Sequence, residues 1–89
     1  MDTNDHITIN VLFFAKSREL SGRSNATLCV KSKIKSGELL ELLCSTYNLQ
    51  SIRNNLLIAL NQEYQSDMTL LLALKENDEI AVIPPISGG

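Results

Sequence analysis

Tryptophan is absent from the 89 residues, and histidine occurs once, near the N-terminus. With cysteine only at positions 29 and 44, no His/Cys spacing suits a metal ion. One disulfide at most is conceivable, and both thiols are expected to stay reduced and packed inside regular elements rather than to act as nucleophiles. Excess basic charge is lacking too. The net charge of −2 leaves no field suited to nucleic acid or anionic lipid. No apolar run approaches the roughly 20 residues of a membrane span, and the N-terminus carries no secretory pattern, so a cytoplasmic location is expected. What remains is 44% apolar and 20% charged, the balance of one small globular domain with no room for a second core.

Period-two patterning opens the chain. In "HITINVLFFA", Ile7, Ile9, Val11 and Phe13 alternate with Thr8, Asn10, Leu12 and Phe14, which predicts a strand. Its second face begins polar and turns apolar at Leu12 and Phe14. "AKSRELSG" predicts one or two helical turns stopped by Gly22, and "NATLCVK" a second strand, antiparallel because its connection is short. "KSKIK" is expected to be a solvated basic linker. Ser36 is a candidate N-cap with Glu38 in the first turn. Leu39, Leu40, Leu43 and Tyr47 recur at helical spacing as far as Asn48. "NLQSIRNN" is expected to be a loop, "LLIALN" a third strand, "QEYQSDMTLLLAL" a turn with a short extended piece, and "EIAVI" the last strand after the turn "KENDE". Strand, strand, helix, strand, strand is an α+β order. It implies a mixed sheet on one main helix, with a parallel pair arising from the helical crossover: the ubiquitin-like β-grasp in outline.

The stretches "VLFFAKSRELSG", "ALNQEY" and "NDEIAVIPPISGG" together resemble the small, sulfur-carrying subunit of molybdopterin synthase, from about Ile7 to Gly89. The polar start is expected to be a mobile arm over residues 1–6, and the resemblance implies a β-grasp domain over 7–83 and an extended tail over 84–89. It implies that Gly89 is adenylated by a ubiquitin-activating-type adenylyltransferase and sulfurtransferase, converted to a thiocarboxylate, and used to deliver sulfur to cyclic pyranopterin. The family pattern also implies a large-subunit partner in a heterotetramer of two small and two large subunits. No cofactor would be bound permanently; AMP and sulfur would sit on Gly89 transiently, with ATP consumed by the activating partner. The family's Gly-Asp-Glu turn is Asn77-Asp78-Glu79 here, and Asn tolerates positive φ.

The ending suits that chemistry. A carboxylate is a poor acyl donor until its oxygen becomes part of a better leaving group. Gly88 and Gly89 fit a narrow channel, while Pro84 and Pro85 end the ladder and favour an extended exit. Pro84, Pro85, Ile86, Ser87 and Gly88 then form the inserted tail, spanning at most roughly 20 Å with Gly89. If Ile7 to Phe13 faces the helix, Leu12 and Phe14 lie on the open face with Ala81 and Ile83, and Tyr64 is a further candidate for an apolar docking patch. Rival readings are a protein modifier joined through Gly89 to lysines, a thiamine-pathway sulfur carrier, and an interaction domain with incidental glycines.

Overall fold

The computed structural model describes residues 5–84. Strand β1 (His6–Phe13) runs antiparallel to β2 (Asn25–Lys31), joined through helix α1 (Lys16–Ser21). A short β3 (Lys33–Lys35) leads into the main helix α2 (Ser36–Tyr47), then a 3₁₀ helix (Gln50–Asn55). The chain returns through β4 (Leu57–Leu60), β5 (Glu63–Gln65), β6 (Leu71–Ala73) and β7 (Glu79–Ile83). The main sheet has the order β2-β1-β7-β4-β5, and β3 with β6 makes a separate two-stranded sheet. The α+β mixed sheet on one helix is the expected β-grasp.

Alternation decides what is buried. Ile9, Val11 and Phe13 of β1, Ile58 of β4, and Ile80 and Val82 of β7 turn to one side. There they meet Leu39, Leu40, Leu43, Cys44 and Tyr47, the apolar stripe of α2. Phe13 and Tyr47 pack edge-on, with ring centroids 4.9 Å apart. The glycine of "SGELLELL" is needed for close approach. A Cβ on Gly37 would stand 2.9 Å from the Met68 carbonyl oxygen, which accepts the Gly37 N–H.

Several local expectations differ from the structure. The parallel pair is β1 with β7, the first and last strands, because β7 inserts between β1 and the helix-linked β4. "KSKIK" is not a solvated linker. Ile34 is buried, and β3 pairs with β6, using the second half of "QEYQSDMTLLLAL", which supplies two strands rather than one. "NLQSIRNN" winds into 3₁₀ turns because Leu49, Leu56 and the partly buried Ile52 must reach the core. Ser36 is not the N-cap. It is the first helical residue, fully buried, and its hydroxyl donates to the Asp67 carbonyl at 2.6 Å. The stops at Gly22 and Asn48 are both left-handed, as expected, and Asn77 takes φ 71° in the turn before β7.

Ala15 holds φ 52° and ψ −126°, a region open to glycine and costly for any residue with a Cβ. It lies between Phe14 and α1, where the chain must reverse at once. Ala15→Gly is therefore expected to stabilise the fold by about 1 kcal/mol net of glycine's unfolded-state entropy, raising Tm by about 4–8 °C. A thermal melt showing no rise would mean that the backbone there is unstrained.

Candidate functional site: an apolar concavity at the root of the tail

The open face of the sheet carries its largest exposed side chains at one end. Register places Leu12 beside Ala81, Ala81 beside Ala59, and Ala59 beside Tyr64. Paired residues share a face, so β1, β7, β4 and β5 each contribute one of these positions to the same row. Two alanines occupy its middle. Ala59 and Ala81 are almost fully covered, at 3% and 6% exposed, and form a floor. Around them rise Leu12, Phe14, Tyr64 and Ile83, enclosing with Gln62 and Glu79 a concavity of about 410 Å³. Phe14 and Tyr64 stand out at 46% and 66% exposed.

All five residues expected in a docking patch (Leu12, Phe14, Tyr64, Ala81 and Ile83) line this one depression. No loop among the described residues covers Leu12 and Phe14. Ala59, Gln62 and Glu79 complete the lining and are not signalled by the sequence pattern. Ala59 shares the strand parity of Leu57, but only the strand order reveals that it abuts Ala81. Glu79 and Gln62 add polar groups to a lining that is mainly apolar.

Hydrogen bonds hold the walls. The β4–β5 turn runs through Asn61 and Gln62, both at positive φ. Asn61 donates its N–H to the Glu79 carbonyl (2.8 Å), accepts the Glu79 N–H on Oδ1 (2.9 Å), and donates Nδ2–H to Asp78 Oδ1 (3.1 Å). This ties the rim bearing Gln62 to the start of β7. At the other end Ser17 is completely buried. Its Oγ accepts the Phe14 N–H at 3.0 Å and lies 2.7 Å from the Phe14 carbonyl and 3.0 Å from the Val82 carbonyl, either of which can take its proton. The Phe14 N–H also approaches Val82 O at 3.3 Å. One hydroxyl thus joins Phe14 to the last turn of chain before Pro84. A buried polar group satisfied in this way resists displacement, because breaking the set strands a donor or acceptor away from water.

Pro84 follows β7 directly and is half-buried. Pro85, Ile86, Ser87, Gly88 and Gly89, named above for the inserted tail and the acyl carrier, lie outside the described residues. The described residues do place the origin of that tail. Ile83 lines the concavity, so the chain leaves the sheet from its wall.

The cysteines divide differently from expectation. Cys44 is packed as expected, and its burial pushes the thiol pKa up despite the lowering influence of Arg53. Cys29 is exposed. It pairs with Thr8 on β1, and that position belongs to the uncovered face, so its strand location does not bury it. A thiol reagent should modify Cys29 promptly in the native protein and Cys44 about 1,000-fold or more slowly, through opening of the fold. Equal rates would contradict the burial of Cys44. Among the described residues no group of three or more His, Cys, Asp or Glu is placed to hold a metal ion, and no helix is long and apolar enough to cross a membrane.

The chain is similar along its length to sulfur carrier subunits in sequence, and in fold to a wider group that includes archaeal modifier proteins. The model of the ThiS family matches residues 11–89. A molybdopterin synthase sulfur carrier subunit from Anopheles gambiae is 47% identical, with the whole of both chains covered. One from Drosophila melanogaster is 46% identical over 93% of this chain and 92% of its own. In fold, SAMP1 from Haloferax volcanii matches with a TM-score of 0.72 at 22% identity, over 92% of this chain and 99% of that one. A complex of subunits 1 and 2 of molybdopterin-converting factor from Helicobacter pylori contains a chain matching with TM-score 0.65 at 24% identity, over 93% of this chain and all of that one. By sequence, the chain belongs to the ThiS family, among the molybdopterin synthase sulfur carrier subunits.

Proposed function

We propose that this protein is the sulfur carrier subunit of a molybdopterin synthase, loaded at Gly89 and docked through the concavity of Leu12, Phe14, Tyr64, Ala81 and Ile83. The observation that carries this reading is continuity between the two. The strand whose Ala81 and Ile83 line the hollow runs straight into the Pro-Pro-Ile-Ser-Gly-Gly tail. A partner seated on the open face is therefore next to the point from which the reactive end departs.

The chemistry follows from the terminus. The Gly89 carboxylate attacks the α-phosphate of ATP on an adenylyltransferase and releases pyrophosphate. The resulting acyl adenylate has AMP as its leaving group, and a sulfur nucleophile displaces it to leave a thiocarboxylate. The tail then carries that sulfur into the large subunit for transfer to cyclic pyranopterin, and hydrolysis returns the carboxylate. The likeness to one chain of a two-subunit converting factor supports a large-subunit partner. The assembly we propose holds two carriers and two large subunits. The carrier itself holds no permanent cofactor, and it works in the cytoplasm.

The small archaeal modifier fold is shared, so fold alone does not separate a carrier from a modifier. Identity over nearly the whole length to sulfur carrier subunits favours the carrier. Incubation with the activating partner, ATP and a sulfur donor should raise the intact mass by about 16 Da, one oxygen exchanged for sulfur at the terminus. Recovery of Gly89 in isopeptide linkage to lysines, with no such mass gain, would select the modifier instead.

A further inference from the structure

The main sheet has two edges, and they differ. At one end β5 is three residues long, too short to template another strand. At the other, β2 offers seven residues, "NATLCVK", with no proline and one charge, at its last position. Native edges of this length are normally blunted by bulges, prolines or inward-facing charges. This one is not.

The phase of the β1–β2 ladder shows which backbone groups are free. Phe13 N–H donates to Ser24 O at 2.9 Å and Ser32 N–H to Asp5 O at 2.6 Å, at the two ends of the pairing. Between them alternate residues bond to β1, so Ala26, Leu28 and Val30 point their N–H and C=O groups inward. Those of Asn25, Thr27, Cys29 and Lys31 point away from β1. None has a backbone or side-chain partner among the described residues.

From this we infer that the β2 edge is a self-association surface, joining two copies of the chain through an antiparallel β2–β2 pair centred on Leu28. Only a register that lets the outward groups face one another uses them fully. Centred on Leu28, Thr27 stands opposite Cys29 of the second copy and Asn25 opposite Lys31, each pair exchanging both bonds. Side chains agree on both faces. On the helix side, Leu28 meets its own copy and Ala26 meets Val30. On the open side, Lys31 meets Asn25 and never another Lys31, so no like charges are opposed within the seven residues of β2. The two-fold axis returns the same contacts to both partners, as closure of a dimer requires. Beside the edge a groove of about 420 Å³, lined by Val30, Ile34 and Leu42, gives the joined apolar side chains room to pack. Its lining also includes Lys31, Glu38 and Glu41, the last already paired with Arg53. The contact leaves the row from Leu12 to Tyr64 unoccupied and does not depend on the proposed function.

Two measurements test it. Thr27→Cys brings a thiol opposite Cys29 of the second copy at the roughly 5.5 Å Cα separation of a hydrogen-bonded pair, within disulfide range. With oxidised glutathione it should form a dimer on a non-reducing gel, with the bond mapped between the introduced thiol and Cys29, at least about tenfold faster than Ser45→Cys on the exposed side of α2. Equal rates for the two variants would overturn the inference. Thr27→Pro removes an outward N–H that β1 does not use, so the fold should survive while sedimentation shows self-association reduced about tenfold or more. Overturning results are a wild-type protein that stays monomeric up to about 1 mM, or association that survives Thr27→Pro. If such surviving association is lost in Phe14→Asp, the contact belongs to the open face instead.

Discussion

Appending one alanine after Gly89 is expected to abolish sulfur loading while leaving the melting temperature unchanged. In the extended chain the Gly89 carbonyl is an amide, whose nitrogen is a far worse leaving group than a phosphate ester, and it has no free oxygen to attack ATP. The new terminal carboxylate lies roughly 3.5 Å further along an extended chain and sits next to a Cβ that Gly88 and Gly89 both lack. A displacement of even 1 Å can cost about 100-fold in a reaction that depends on near-attack geometry. Loading should therefore fall by about 1,000-fold or more, to background, in the same mass measurement that detects the thiocarboxylate. Extended protein that gains sulfur without being trimmed back would overturn the assignment of Gly89. So would full support of molybdenum-cofactor synthesis by such protein.

Phe14→Asp should produce the second large effect, on binding rather than chemistry. Phe14 is nearly half exposed, and its backbone rather than its ring is held by Ser17. The substitution removes little from the core, so the fold should lose less than about 1 kcal/mol. A partner that covers the concavity would bury the new carboxylate without a counter-charge, beside the rim already occupied by Glu79. Affinity for the large subunit should drop by about 30-fold or more, the scale of a central interface anchor. Ile83→Asp is expected to act in the same direction from the opposite wall. Calorimetric titration together with a thermal melt separates the cases. A collapse in melting temperature would show that the ring belongs to the core. An unchanged affinity would show that the partner docks elsewhere.

Much of this site is legible in the chain's residue pattern because side-chain alternation in a strand admits few alternatives. Once Ile7 to Phe13 are set toward a helix, Leu12 and Phe14 must face away, and the same parity carries Ala81 and Ile83. β2 and β7 begin and end where their alternating patterns do. The harder elements are those whose residues serve a distant neighbour. "KSKIK" has one apolar side chain among three lysines, too few for a period, and it is a strand only because β6 pairs with it. "NLQSIRNN" reads as polar, yet Leu49 and the following Leu56 are core residues. Ser36 has the chemistry of a cap but spends its hydroxyl on Asp67, 31 residues away. Cys29 departs from the packed position expected of it because membership of a strand does not tell which face is covered.

From the order of residues alone come most of the element sequence, the helix stripe, the stops at Gly22 and Asn48, and the apolar switch within β1. These follow from local rules: period, cap preference, and the steric freedom of glycine. Folding was needed to insert β7 between β1 and β4, which puts Ala81 between Leu12 and Ala59 and turns scattered apolar residues into one hollow at the origin of the tail. It was needed equally to leave β2, among the described residues, unpaired on its outer side. Both outcomes depend on which strands become neighbours, and pairing between distant segments is a property of the closed sheet that no local pattern encodes.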